Sequence, residues 1–195
     1  MQAETIEQLT LALSRERLGS YRGSSAQPAS DASILVRYAW NTMLSESLYP
    51  SLQMLEVGLR NTIHNAMTRE FGREDWFDKP DLLRHHHDLD AIRSAKAALT
   101  RQRKSHDAFR VVAEVKFGFW TSLLDKRYER ALWQKLLKTT FPHVPRSMRT
   151  RKVLSVRFNA LRELRNRVFH HEPIWHWQDL MQHHRDLIEA IGWIN

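Results

Sequence analysis

Along most of this chain apolar residues recur at spacings of three and four, the period of a helix with one buried face. Leu52, Leu55, Leu59, Ile63 and Ala66 form the clearest stripe, and Leu154, Phe158, Leu161, Leu164 and Val168 form a second. A thinner one, Leu89, Ile92, Ala95 and Leu99, runs through the polar stretch 81–104, and Leu180, Met181, Leu187, Ile188 and Ile191 define the last. No segment alternates with period two, so the expected fold class is all-α. Residues 1–18 predict a short polar helix ending at Gly19, and 19–30, with Pro28, a flexible loop. Ser30 or Asp31 caps a helix carrying Leu35, Tyr38, Ala39 and Met43 on one side. Pro50 is predicted to separate it from the next helix, whose first turn it suits. Gly72 ends that helix, and Trp76, Phe77 and Pro80 form an aromatic connector. Shorter helices are expected over 107–116 and 120–139, around the corner Lys116-Phe117-Gly118-Phe119-Trp120. After Pro142 and Pro145 a long helix is expected over 147–170, because Pro173 disfavours the α conformation at Glu172. Nothing resembles a linker, so 1–195 reads as a single helical domain.

Composition sharpens this picture. Only six Gly and six Pro in 195 residues argue for few long loops. A net charge of +8, with His counted neutral, raises the prior for a polyanionic partner. The absence of Cys excludes disulfides, thiolate chemistry and zinc ribbons. The first residues, Met-Gln-Ala-Glu-Thr-Ile-Glu, lack the basic and apolar regions of a signal peptide. No apolar run approaches the roughly 20 residues that span a bilayer. The expectation is a cytoplasmic protein with no membrane partner.

The chemistry concentrates in Leu164-Arg165-Asn166-Arg167-Val168-Phe169-His170-His171-Glu172-Pro173. Asn166 and His170 are one helical turn apart and share a face, while Arg165 lies about 140° round from His170. These groups match the needs of RNA cleavage. An imidazole can take a proton from a ribose 2′-OH or give one to the leaving oxygen near neutral pH. A planar, permanently charged guanidinium can stabilise the charge that builds on phosphate. Asn166 can hold either neighbour in place. The bland alternative is an Arg165 paired with an acid and two His that cap helix carbonyls.

Taken with other segments, this motif resembles the Abi-like (abortive infection) family of the HEPN superfamily. The resemblance rests on Arg17-Leu18 with Tyr21, Tyr38-Ala39-Trp40-Asn41, Leu55-Glu56-Val57-Gly58-Leu59-Arg60-Asn61, the Phe117-Gly118-Phe119-Trp120 corner, and Leu164-Arg165-Asn166 to His170-His171 with Gly192-Trp193-Ile194. It implies a HEPN-type helical bundle, often a homodimer in which two R-x4–6-H motifs share a composite cleft. It further implies a metal-independent endoribonuclease that needs no cofactor and leaves a cyclic phosphate. By position the catalytic residues are Arg165, Asn166 and His170. His171 would give the R-x5-H spacing that the superfamily also allows. The resemblance allows two further cases: a member held by an inhibitory partner protein, and a non-catalytic module that binds RNA or protein.

Glu56, Arg60 and His64 form a polar ridge at i, i+4 spacing. It is either an internal salt bridge or a support in which Glu56 or Arg60 orients Arg165 or His170. His85-His86-His87, and His183 with His184, diverge by about 100° per residue and are poor chelators, so no metal is expected. Two basic clusters stand out. One holds Arg93, Lys96, Arg101, Arg103 and Lys104. The other, Arg146, Arg149, Arg151 and Lys152, opens the expected motif helix and is the candidate RNA track.

Overall fold

A computed structural model describes residues 3–23 and 29–194. Among them there are nine α-helices and no strand, as the spacing of apolar residues predicts. They are α1 (Ala3–Leu13), α2 (Arg15–Gly19), α3 (Asp31–Phe71), α4 (His86–Arg101), α5 (Ala108–Glu114), α6 (Phe117–Ser122), α7 (Gln134–Thr140), α8 (Arg151–Phe169) and α9 (Leu180–Ile194). None of these helices is long and apolar enough to cross a membrane.

The chain forms two compact units, each made of two segments. The first is Met1–Pro50 with Leu164–His184; the second is Ser51–Glu163 with Arg185–Asn195. In the first unit Leu18, Tyr21, Ile34 and Leu35 are the buried centre, and Leu13, Tyr38 and Trp175 pack against it. Ser30 caps α3, its Oγ accepting the Ser33 N–H at 3.3 Å. Part of the expected 19–30 loop, residues 24–28, lies outside the described residues.

In the second unit Trp76 is fully buried. It stacks on Phe119 at 6.4 Å and meets Trp120 edge-on at 6.2 Å. The aromatic connector and the glycine corner are therefore two halves of one cluster. Further on, Arg157 of α8 holds α9. It pairs with Asp186 at 3.2 Å and Glu189 at 2.6 Å, and its guanidinium lies 4.9 Å from the centre of the Trp193 ring.

Several local expectations need correction. Pro50 does not divide two helices; it sits inside the 41-residue α3. An interior proline costs about 3 kcal/mol. Here Glu46, Ser47, Tyr49 and Pro50 are all exposed, so water can reach the carbonyl that proline leaves without an amide donor. Leu48, Leu52 and Leu55 are buried on both sides of it. At about 1.5–3 kcal/mol each, their burial outweighs the break.

Ala39 and Met43 face solvent, and the buried face of α3 runs through Ile34, Leu35, Asn41 and Leu48 instead. The first expected helix breaks at Ser14, whose φ is 65°. The single helix expected over 120–139 is four pieces: α6, a 3₁₀ turn at Lys126–Tyr128, a π turn at Glu129–Trp133 and α7. In α9 the buried residues are Leu187, Ala190 and Trp193, while Met181 and Ile188 are exposed.

Candidate active site

The motif stands at the end of α8 in the first unit. Leu164 and Val168 are buried, and the same turns leave Arg165 half-buried and Asn166 and His170 exposed. The His170 N–H donates to the Asn166 carbonyl at 2.9 Å. Beyond it the helix closes in a Schellman arrangement. The His171 N–H donates to the Val168 carbonyl at 3.2 Å, and the Glu172 N–H donates to the Arg167 carbonyl at 2.8 Å. His171 takes the left-handed conformation this closure requires, with φ 56°. Glycine usually fills that position, because a side chain there costs about 1–2 kcal/mol.

Two residues from distant parts of the sequence hold the strap that follows. Arg17, on α2, donates through Nη2 to the His171 carbonyl at 2.7 Å and to the His170 carbonyl at 3.5 Å. Asn41, on α3 and only 3% exposed, accepts the Ile174 N–H at 2.6 Å and the Trp175 N–H at 3.1 Å through Oδ1. Its Nδ2 donates to the Glu172 carbonyl at 3.5 Å. Strap and helix end are thus fixed from both sides, which fixes the backbone that carries His170.

The Arg165 guanidinium lies over the Phe169 ring, 4.1 Å from its centre. Phe169 in turn stacks on Tyr49 at 4.8 Å, with 16° between the planes. Arg165 Nη1 also reaches Asn166 Oδ1 at 3.5 Å. The cation therefore rests on an aromatic shelf beside Asn166. Arg167 is turned to other work: it pairs with Glu172 at 3.4 Å and lies over Trp177 at 5.3 Å.

A cavity of about 520 Å³ adjoins this site, lined among others by Arg17, Tyr21, Tyr38, Asn41, Ser45 and His171. Tyr21 is 1% exposed, and burial pushes its hydroxyl up from the ordinary tyrosine range. The hydroxyls of Tyr21 and Ser45 are both buried without a hydrogen-bond partner.

The other expected site residues belong to the second unit. Glu56 and Arg60 belong to the second unit, where Arg60 Nε donates to Asn61 Oδ1 at 3.3 Å. His64, third on that ridge, accepts the Trp76 indole N–H on Nδ1 at 3.0 Å. Burial lowers its pKa, against a weaker upward pull from Glu74. His64 thus serves the aromatic cluster as a hydrogen-bond acceptor.

Of the four cations proposed as an RNA track, two have internal tasks. Arg149 donates to the Pro142 carbonyl at 2.7 Å and to that of Val144 at 2.6 and 3.0 Å. Arg151, with a side chain 11% exposed, donates to the Leu124 carbonyl at 3.0 Å and meets Glu129 at 3.3 Å. Arg146 and Lys152 are exposed. The helix starts at Arg151, so Arg146 and Arg149 precede it. Of the three consecutive His rings, His85 and His86 stack at 4.8 Å, and His87 is tilted against His86 at 3.9 Å. No group of three or more His, Asp or Glu suited to a metal occurs among the described residues.

Reading the sequence for chemistry alone gave Arg17, Asn41 and Tyr21 no role. Asn41 carries a usable signal, since it falls on the buried stripe of α3, and a buried polar side chain must find partners. No protein-family model matches the chain, and neither a curated protein nor a solved structure matches it.

Proposed function

We propose that this chain is a metal-independent endoribonuclease of the HEPN type, acting in the cytoplasm in abortive defence against phage. The observation that carries the reading is the arrangement at the end of α8. Arg165 reaches Asn166, and the exposed His170 follows one turn after Asn166, on a terminus that Arg17 and Asn41 hold fixed. Such preorganisation is what proton transfer at a phosphodiester needs.

In the reaction, His170 removes the proton from the ribose 2′-OH and the freed oxygen attacks phosphorus. The 5′-oxygen of the next nucleotide departs and takes up a proton, leaving a 2′,3′-cyclic phosphate. Arg165 stabilises the negative charge that grows on the phosphate oxygens, and Asn166 keeps its guanidinium beside the reacting group. General acid and general base are two roles, and each chain brings one His170. A homodimer with two motifs across one cleft fills both. The first unit offers a face for this: Val36, Trp40 and Met43, at spacings of four and three on α3, are 64%, 51% and 60% exposed. Exposed Arg146 and Lys152 would add phosphate contacts along the RNA.

The test is to incubate the purified protein and its His170→Ala variant with total RNA in EDTA and to analyse the fragment ends. Cleavage by the parent alone, with 2′,3′-cyclic phosphate termini, is the expected result. Undiminished cleavage by His170→Ala, or a strict need for a divalent metal, would overturn the mechanism. Inactivity of His171→Ala alone would move the proton carrier by one residue.

A further inference from the structure

We infer that Tyr49 is a stacking platform for a nucleobase of the RNA, one that belongs to a nucleotide beside the phosphate that Arg165 holds. That phosphate comes from the ribonuclease reading, on which the inference rests; the platform itself is tested by binding.

Tyr49, on α3, is 47% exposed, yet its ring is not loose. It lies nearly flat against Phe169, with 4.8 Å between ring centres and 16° between planes. Phe169 is the half-buried last residue of α8, and both rings belong to the first unit. The contact orders the Tyr49 side chain before any ligand arrives, while much of its surface stays in water. Immobilising a side chain on binding costs about 0.5–1.5 kcal/mol, and a ring already held in place avoids most of that cost. Every base has a π face, so stacking on an open aromatic ring holds RNA whatever its sequence.

The neighbouring charge selects the ligand. The Arg165 guanidinium lies 4.1 Å from the centre of the same Phe169 ring. A flat apolar surface and a permanent cation thus share one support. A nucleotide is the complement of that pair, a planar ring joined through ribose to a phosphate. An aliphatic side chain would leave the cation unused, and a free phosphate would leave the ring unused. Trp177, another ring near the motif, has Arg167 at 5.3 Å and His183 at 5.1 Å against it, so its faces are already occupied by the protein. Tyr49 is the ring left open beside Arg165.

The test uses the full chain and an RNA it cannot cut. The probe is a short single strand with 2′-O-methyl ribose throughout, which lacks the attacking hydroxyl, and with 2-aminopurine as a central base, whose fluorescence falls when it stacks. A single strand is chosen because a duplex base already has neighbours on both faces. The parent should bind the probe and quench it. Tyr49→Leu keeps an apolar contact with Phe169 but has no flat face; it should bind about fivefold more weakly or worse and lose the quenching. Tyr49→Phe and Tyr49→Trp, which keep a ring, should retain both signals. Absence of binding up to millimolar concentration overturns the platform, as does quenching that persists in Tyr49→Leu, or loss of binding in Tyr49→Phe equal to that in Tyr49→Leu. Cleavage of unmodified RNA is followed separately, so the two readings fail separately. A parent that cleaves, with a Tyr49→Leu variant that binds and quenches the probe equally well, loses the platform and keeps the nuclease. A parent that quenches through Tyr49 yet never cleaves keeps the platform and loses the nuclease.

Discussion

Replacing Asn41 by Leu should destabilise this protein more than replacing the exposed Asn166 or His170. Asn41 Oδ1 is the acceptor for two backbone donors, the Ile174 N–H at 2.6 Å and the Trp175 N–H at 3.1 Å. Ile174 is wholly buried and Asn41 is 3% exposed, so water is a poor substitute. Leaving a buried donor without an acceptor costs about 1–3 kcal/mol. Two such donors give roughly 2–6 kcal/mol, less about 1 kcal/mol for the apolar burial that Leu gains. Against a total stability of about 5–15 kcal/mol this is a large fraction. Urea titration followed by circular dichroism reads it directly: with an m value near 3 kcal/mol per M, the midpoint should fall by about 1 M. Below the transition, cleavage should fall about tenfold or more, because the strap next to His170 loses its anchor. A midpoint within about 0.2 M of the parent would refute the reasoning and make the buried bonds dispensable.

Other expectations follow from the same geometry. His171→Gly relieves a left-handed side chain, so despite the extra freedom of glycine in the unfolded chain it should hold or raise the melting temperature, whereas His171→Val should lower stability by about 1 kcal/mol or more. Arg151→Met should destabilise through lost bonds to Leu124 and Glu129 while Lys152→Met leaves stability unchanged; an RNA-binding assay across salt should show the reverse order of effects. Because burial lowers the pKa of His64, the unfolded chain takes up a proton that the folded chain resists as pH falls below about 6.5. Stability should therefore decline on acidification from that point and stay flat through this group above it, and His64→Gln should show a shallower acid slope in chemical denaturation at pH 5 and 7.

The sequence made some of this structure plain and hid other parts, for identifiable reasons. The stripe Leu154, Phe158, Leu161, Leu164 and Val168 is buried throughout, because a long helix with one inward face leaves a strict periodicity. That stripe also fixed which way the motif residues would point. Pro50 misled because its local effect is strong, while the leucines that override it act through burial on both sides. The stretch 120–139 misled because its 3₁₀ and π turns, three and five residues long, are too short to display a period. In the basic cluster, composition could not distinguish Arg149 and Arg151, whose donors meet backbone carbonyls, from Lys152 in solvent. Arg17 and Asn41 were the hardest to assign, since their partners lie more than 130 positions away.

That separation has a consequence in time. Asn41 meets its partners across 133 and 134 positions of chain. On a ribosome adding about 5–20 residues per second, Asn41 is made roughly 7–27 s before Ile174 exists to meet it. Throughout that interval the nascent chain carries α2 and most of α3 with nothing for Asn41 to bind. Loops this long also close late in folding. The strap can be fastened only once Ile174 and Trp175 have emerged, so a polypeptide cut short before them by a stalled ribosome or an early stop codon carries no assembled site. If the chain is the ribonuclease proposed above, this order of assembly keeps copies that end before the strap inactive while translation is still under way.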